Sequence, residues 1–258
     1  MESKLHYIAF FILTVSLSLS CNKHKGSASK NDNTDTVKVG AWYFGGWSFP
    51  PDADGHTFHI SPTLTTAYTD REPVWGWRED APGVMEQQIK YAADAGLNFW
   101  GFCWYDNTLR PENRELMDNL NNALELFLKA NNSHLLNFFL LSCHPVSPVS
   151  WEGVCDRVIA YFKAPNYLLV EGKPVIVFFN TDEVINGMGG VQQTRAALQL
   201  FRNKAKLAGY DEVLIGARTF PKPQNPTYQN TYLECGFDFL TTYNNADDGR
   251  KQAGSNAF

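Results

Sequence analysis

Residues able to do chemistry recur in one kind of place along this chain, at or just after short apolar runs. Trp42, Tyr43 and Trp47 surround Gly45-Gly46, and Tyr105, Asp106 and Asn107 follow the run that ends in Trp104. His144, Asn180 with Asp182, Arg218, and Tyr243 with Asn244 and Asn245 close later runs. Trp75 and Trp77 stand two apart in a long connection, where they would share one face of an extended segment, as a sugar platform or as a hydrophobic plug. Aromatic faces beside Asp, Asn, His and Arg suit a ring-shaped polar ligand, with C–H faces on the aromatics and hydroxyls on the polar groups. Asp106 is the best-placed carboxylate for catalysis or for a substrate hydroxyl, but an Asp-Asn pair equally suits a turn closing a strand. His144 and Arg218 divide in the same way between ligand contact and a satisfied structural role. Asp182-Glu183 is an acid pair in appearance, but adjacent residues point apart, and a helix-capping role is the better expectation. Glu72 and Glu79 lie in the long connection and are expected at the solvent.

No cofactor and no metal is expected. His56 and His59 have no third ligand nearby. Beyond Cys21, the cysteines Cys103, Cys143, Cys155 and Cys235 form no C-x-x-C and no zinc spacing with histidine, and they read as small buried hydrophobes rather than disulfide partners. No G-x-G-x-x-G follows the first apolar run, which argues against a dinucleotide. With 22 Lys+Arg against 27 Asp+Glu, the net charge of −5 leaves no basic surplus for a phosphate backbone, so nucleic acid is not an expected partner. Apolar residues at 44% and charged residues at 19% exclude disorder, and a mean hydropathy of −0.30 excludes a polytopic membrane protein.

The elements that must position these residues alternate strand and helix. Strands are predicted at Val39–Phe44, Leu97–Trp104, Leu136–Ser142, Pro174–Phe179, Val213–Ala217 and Phe237–Thr241. Their near-continuous apolar runs are those of strands buried on both faces, hence a parallel sheet covered by helices. Leu116, Leu120, Ala123, Leu124, Phe127 and Leu128 keep helical spacing, as do Val191, Thr194, Leu198, Phe201, Ala205 and Ala208. A third helix is predicted over 82–95, with Asp80 as N-cap and Gly96 as its stop, and a fourth over 151–162, capped by Ser150. The connection from Gly45 to Ala81 shows no clear helix. Polar and aromatic residues after strand upon strand favour a (β/α)₈ barrel over a doubly wound sheet. Six βα units are present, so the chain is expected to be an open barrel lacking two units and inactive by itself.

The N-terminus reads as a separate segment. Lys4, the apolar run Tyr7–Leu19 and Ser20-Cys21 resemble a bacterial lipoprotein signal over residues 1–20, with Cys21 lipidated. The lipobox is imperfect, because Ser18 stands where leucine is usual. Residues 21–36 are polar and read as a flexible tether to the barrel domain of 37–258. The expected location is the bacterial cell envelope, with the membrane engaged through a lipid anchor alone.

Three stretches in order resemble family 99-like glycoside hydrolases and WbsX-like proteins. The stretch from Tyr161 to Phe178 (YFKAPNYLLVEGKPVIVF) is similar to the segment before their fourth strand. Gly40–Trp47 (GAWYFGGW) is similar to their first strand and its turn, and Val84–Trp104 (VMEQQIKYAADAGLNFWGFCW) to their following helix and strand. The resemblance implies a (β/α)₈ barrel acting on glycosidic bonds, with endo-α-mannosidase as the best-known activity, and some relatives are labelled glycosyltransferases. The Trp-Asn-Glu-Trp-like segment that carries the acids of these families has no counterpart here, so no catalytic acid is carried over. The function expected is that of an exported glycoside hydrolase-like protein acting on or binding α-linked, mannose-containing glycans. A non-catalytic carbohydrate-binding barrel is the alternative, and a glycosyltransferase is less expected because activated donors are cytoplasmic.

Overall fold

A computed structural model of the chain describes residues 37–48, 59–109, 111–219 and 227–243. Cys21 and the 1–36 segment, His56, Asn244 and Asn245 lie outside the described residues. The sheet strands are β1 (Gly40–Tyr43), β2 (Phe99–Trp104), β3 (Asn137–Ser142), β5 (Lys173–Phe178), β6 (Leu214–Arg218) and β7 (Phe239–Thr241). A two-residue β4 (Leu169–Val170) forms a hairpin with β5 through Glu171-Gly172, both at positive φ as a tight two-residue hairpin turn requires. The helices are α1 (Pro62–Ala67), α2 (Val84–Asp94), α3 (Arg114–Lys129), α4 (Trp151–Tyr161), α5 (Thr181–Met188), α6 (Val191–Leu207) and α7 (Tyr228–Cys235).

The six strands β1-β2-β3-β5-β6-β7 pair in parallel and in chain order. A doubly wound sheet reverses direction at a switch point; this one never does. It curls into a half-barrel with helices outside. Laid flat, six strands at about 4.8 Å spacing would hold the outer two about 24 Å apart. Here the Trp42 indole N–H on β1 donates to the Thr242 carbonyl just past β7 at 3.3 Å, which only a curled sheet permits.

The core lies between the sheet and its helices. Phe127 of α3 is fully buried against Trp100 and Phe102 of β2 and Phe138 of β3. Trp151 of α4 packs on Phe178 of β5 and Phe201 of α6, and its indole donates to the Ala197 carbonyl at 2.7 Å. Tyr167 is buried with its hydroxyl on the Val175 carbonyl, 2.7 Å away. Truncating a ring such as Phe127 to alanine in a core like this costs roughly 3–5 kcal/mol.

Several local expectations are corrected. The Gly45–Ala81 connection contains α1, which Ser61 caps by accepting from the Leu64 amide at 3.2 Å. Asp80 does not cap α2; it pairs with Arg78, and Gly83 precedes the helix. Ser150 does not cap α4 through its side chain, because that hydroxyl turns back to Ser147. Asp182 and Glu183 do not cap α5, whose N-cap is Asn180; they sit in its first turn, where Asp182 accepts from the Tyr232 hydroxyl at 2.8 Å. Short α5 and α7 had no clear periodic signal. Among the described residues the four cysteines are free, no helix is long and apolar enough to cross a membrane, and no group of three or more His, Cys, Asp or Glu could hold a metal.

Candidate functional site

Successive side chains of a strand point to opposite faces of the sheet. This alternation sorts the residues at the strand ends into two sets. The concave set begins with Trp42 on β1, which shares its row with Gly101 of β2 and Phe139 of β3. Gly101 has no room for a side chain: a Cβ there would lie 2.6 Å from the Trp42 ring and 2.7 Å from Phe139. Gly216 repeats the device on β6, between Val177 of β5 and Phe239 of β7. The concave face encloses a mostly apolar cavity of about 690 Å³, with Phe99, Phe139, Val177 and Phe239 on its walls and Lys38 and Asp238 toward the start of the strands.

At the C-terminal end of this face the lining turns polar and aromatic. Trp42 lies 5.5 Å from Phe139 and 5.7 Å from Tyr243. Tyr243 meets Phe179 edge-on at 5.2 Å, and the Arg218 guanidinium stacks 3.7 Å from the Phe179 ring centroid. The Cys103 thiol is 3.9 Å from the Tyr243 hydroxyl. Its partnership with Cys143 draws Cys103 below the usual thiol range, while the same contact together with burial drives Cys143 well above it. Burial pushes Tyr243 up to about 12 and Tyr105, which borders the same two thiols, higher still, so both phenols stay protonated donors near neutrality.

The opposite, helix-facing set holds Tyr43, Asp106 and His144. Tyr43 packs on Trp100 and Phe102, each 4.9 Å away, and its hydroxyl donates to Gln88 of α2 at 2.6 Å. Asp106 is buried: one carboxylate oxygen accepts from the Thr108 amide at 3.0 Å and hydroxyl at 2.7 Å, and the other accepts from both Nε and a terminal nitrogen of Arg157 on α4. The Asp106 amide donates to His144 Nδ1 at 3.1 Å, which puts the proton of the neutral imidazole on Nε2. The His144 ring stands edge-to-face against Trp104 at 5.0 Å. Burial pushes His144 down to about 4, with Arg157 adding to the effect and Asp106 opposing it.

The long connection supplies a third location. Glu79 is buried rather than solvent-exposed: one oxygen accepts from the Gly46 and Trp47 amides at 2.9 Å and from the Ser48 hydroxyl at 3.1 Å, tying down the turn after β1. Pro73–Gly76 makes a turn, closed by the Gly76 amide on the Pro73 carbonyl at 2.8 Å with Gly76 at φ +83°, so the segment of Trp75 and Trp77 is not extended. Trp47, Trp75 and Trp77 nevertheless line one cavity of about 480 Å³ beside β1, with Tyr43 and the edge of Trp42 also on its wall.

The expected single cleft is therefore divided. Trp42, Tyr105, Arg218 and Tyr243 meet on the concave face. Tyr43, Asp106 and His144 lie toward the helices, Trp47, Trp75 and Trp77 line the outer cavity, and Asn180 immediately precedes α5. Sequence reasoning missed Phe179, Cys103 and Cys143 on the concave face, and Gln88 and the buried role of Glu79 outside it. Strand parity groups Cys103 with Gly101, Cys143 with Phe139 and Phe179 with Val177, but nothing local says which face is concave.

No protein-family model matches the sequence, and no curated protein matches it. Among solved structures, a glycoside hydrolase-like protein superposes with a TM-score of 0.53 at 16% identity, covering 84% of this chain and 62% of its own. The likeness is one of fold, and this chain spans 62% of that protein's length. The carboxyl transferase domain of Rhizobium etli pyruvate carboxylase, at a TM-score of 0.37, 11% identity and coverage of 62% and 24%, is too distant to carry an argument.

Proposed function

We propose that this protein binds α-linked, mannose-containing glycans at the C-terminal end of its concave face. The observation that carries the reading is the cluster of Trp42, Tyr243 and the Arg218–Phe179 stack at the ends of parallel strands, where barrel enzymes keep their ligands. The indole and phenol rings offer faces to sugar C–H groups, and the protonated phenols offer donors to hydroxyls. The half-barrel's likeness to a glycoside hydrolase-like protein is consistent with this ligand class. In this reading the chain is exported and held at the cell envelope through a lipid on Cys21.

Binding is favoured over cleavage by the described residues. Hydrolysis through protein carboxylates needs two of them flanking the bond. Asp106 is taken up by Arg157 and Thr108, Asp182 accepts from Tyr232, and Glu79 holds the turn after β1. Titration calorimetry with α-mannan oligosaccharides tests the reading. The wild type is expected to bind, Trp42→Ala to bind at least about tenfold more weakly, and no reducing ends to accumulate. Equal affinity in wild type and Trp42→Ala overturns the assigned surface, and release of reducing ends favours the hydrolase. Fatty-acid labelling that persists in Cys21→Ser removes the anchor.

A further inference from the structure

We infer that the outer side of β1 carries a second ligand site, built for one neutral pyranose ring and separate from the concave mouth. Trp47, Trp75 and Trp77 are half-buried around the 480 Å³ cavity, and Tyr43, Glu79 and Gln88 also line it. The size falls within the range of small-ligand pockets, which are mostly apolar with a few convergent polar groups.

The hydrogen bonds identify what those polar groups have left to offer. Tyr43 has one hydroxyl proton, and the 2.6 Å contact commits it to Gln88 Oε1. The Gln88 amide nitrogen keeps both of its protons for a ligand, having no partner among the described residues. Glu79 is only 3% exposed, and its first oxygen is filled by the three donors of the turn after β1. Its second oxygen has the Tyr43 hydroxyl at 3.5 Å, a long contact with a group whose proton points elsewhere. A buried carboxyl oxygen and an amide thus stand in a tryptophan-lined space with hydrogen-bonding capacity unspent.

The chemistry selects the occupant. An anion is disfavoured by Glu79. An organic cation would draw on the aromatic faces but makes no use of the two Gln88 amide protons. The second Glu79 oxygen accepts and the Gln88 amide donates, and vicinal hydroxyls need that combination while tryptophan faces take the ring's C–H side. Trp42 borders this cavity as well as the mouth, whereas Tyr243 belongs to the mouth and does not line this cavity, so Tyr243 is the residue that separates the two sites.

The probe is methyl α-mannopyranoside, and the readout is saturation-transfer NMR on the full chain with titration. Wild type and Tyr243→Ala are expected to transfer saturation to the sugar alike. Trp77→Ala and Gln88→Leu are each expected to weaken this binding at least about tenfold while keeping the native circular dichroism spectrum. Gln88→Leu serves as the second variant because it leaves the Glu79 turn intact. Binding lost in Tyr243→Ala but kept in Trp77→Ala assigns the sugar to the mouth and overturns the second site. Absence of transfer in the wild type, or a preference for tetramethylammonium over the sugar, overturns it as well. Failure of mannan oligosaccharides at the mouth leaves these outcomes unaffected.

Discussion

Two sets of residues stand at the same height on the sheet, one step apart in sequence, and they are built on opposite terms. On the concave face Trp42, Arg218 and Tyr243 touch one another mainly through ring faces and stacks, and Trp42 and Tyr243 retain partial exposure. On the helix-facing side Asp106 and His144 are buried, and the Asp106 carboxylate is committed through both oxygens. Partly exposed ring faces suit a ligand, whereas a carboxylate spent on both oxygens holds a strand end to a helix. Chemical type does not separate the two sets; an acid, a histidine and a tyrosine face the helices while another tyrosine and an arginine lie on the concave side.

The largest expected effect breaks the comparison at its helix-facing end. Asp106→Ala strands the Arg157 guanidinium, which is 34% exposed against 0% for the carboxylate, and removes both bonds to Thr108. Breaking a buried pair in this way costs about 3–5 kcal/mol, the lower end applying because Arg157 reaches solvent. Urea denaturation is expected to show that loss, with glycan affinity within about twofold of wild type where the protein remains folded. A stable Asp106→Ala protein that no longer binds glycan would place Asp106 at the ligand and undo the division.

The same division explains what could be read from the sequence. The six parallel strands and the long helices α2, α3, α4 and α6 were legible because burial on both faces makes strands continuously apolar and helices periodic. The short α1, α5 and α7 were not, since six to eight residues give less than three turns of pattern. The position of candidate residues at strand ends was legible as well. Their direction was obscured because a strand buried on both sides shows no alternation to read: in Phe99–Trp104 (FWGFCW) the apolar residues point both ways. Glu79 was misjudged for a related reason. Nothing local marks a loop carboxylate as buried; its burial comes from amides more than 30 residues earlier, at Gly46 and Trp47.

The next effect in size sharpens the helix-facing end through pH. His144 has its pKa pushed down to about 4 from an ordinary 6.5, mainly by burial. The unfolded chain therefore binds more protons than the folded one between these values, and stability rises with pH across that window. The contribution is complete above about pH 6.5 and is lost as pH falls to about 4, amounting to about 3 kcal/mol. His144→Asn, whose amide oxygen can still accept from the Asp106 backbone, is expected to flatten the pH dependence of the urea midpoint between pH 4 and 6.5. An unchanged slope would mean that His144 titrates freely and is not held between Trp104 and the Asp106 amide.

The smallest effect tests the concave end, and it turns on one missing side chain. Gly101 lies in the row between Trp42 and Phe139, and a Cβ there would meet the Trp42 ring at 2.6 Å and Phe139 at 2.7 Å. Both distances are well inside contact, so Gly101→Ala must push one ring aside. Phe139 is buried and meets Phe99 as well, whereas Trp42 is half-buried with open cavity beside it, so Trp42 is the ring that yields. Overpacking of this kind costs about 1–2 kcal/mol. The displaced indole also leaves the Thr242 carbonyl and the Tyr243 ring, so its N–H resonance is expected to shift and glycan affinity to fall with it. The two readouts separate packing from binding. If the resonance moves and affinity holds, Trp42 belongs to the barrel lining alone, and the ligand surface contracts to Arg218, Phe179 and Tyr243. If neither moves, Trp42 is not held over Gly101, and the concave set loses the member that links its two edge strands.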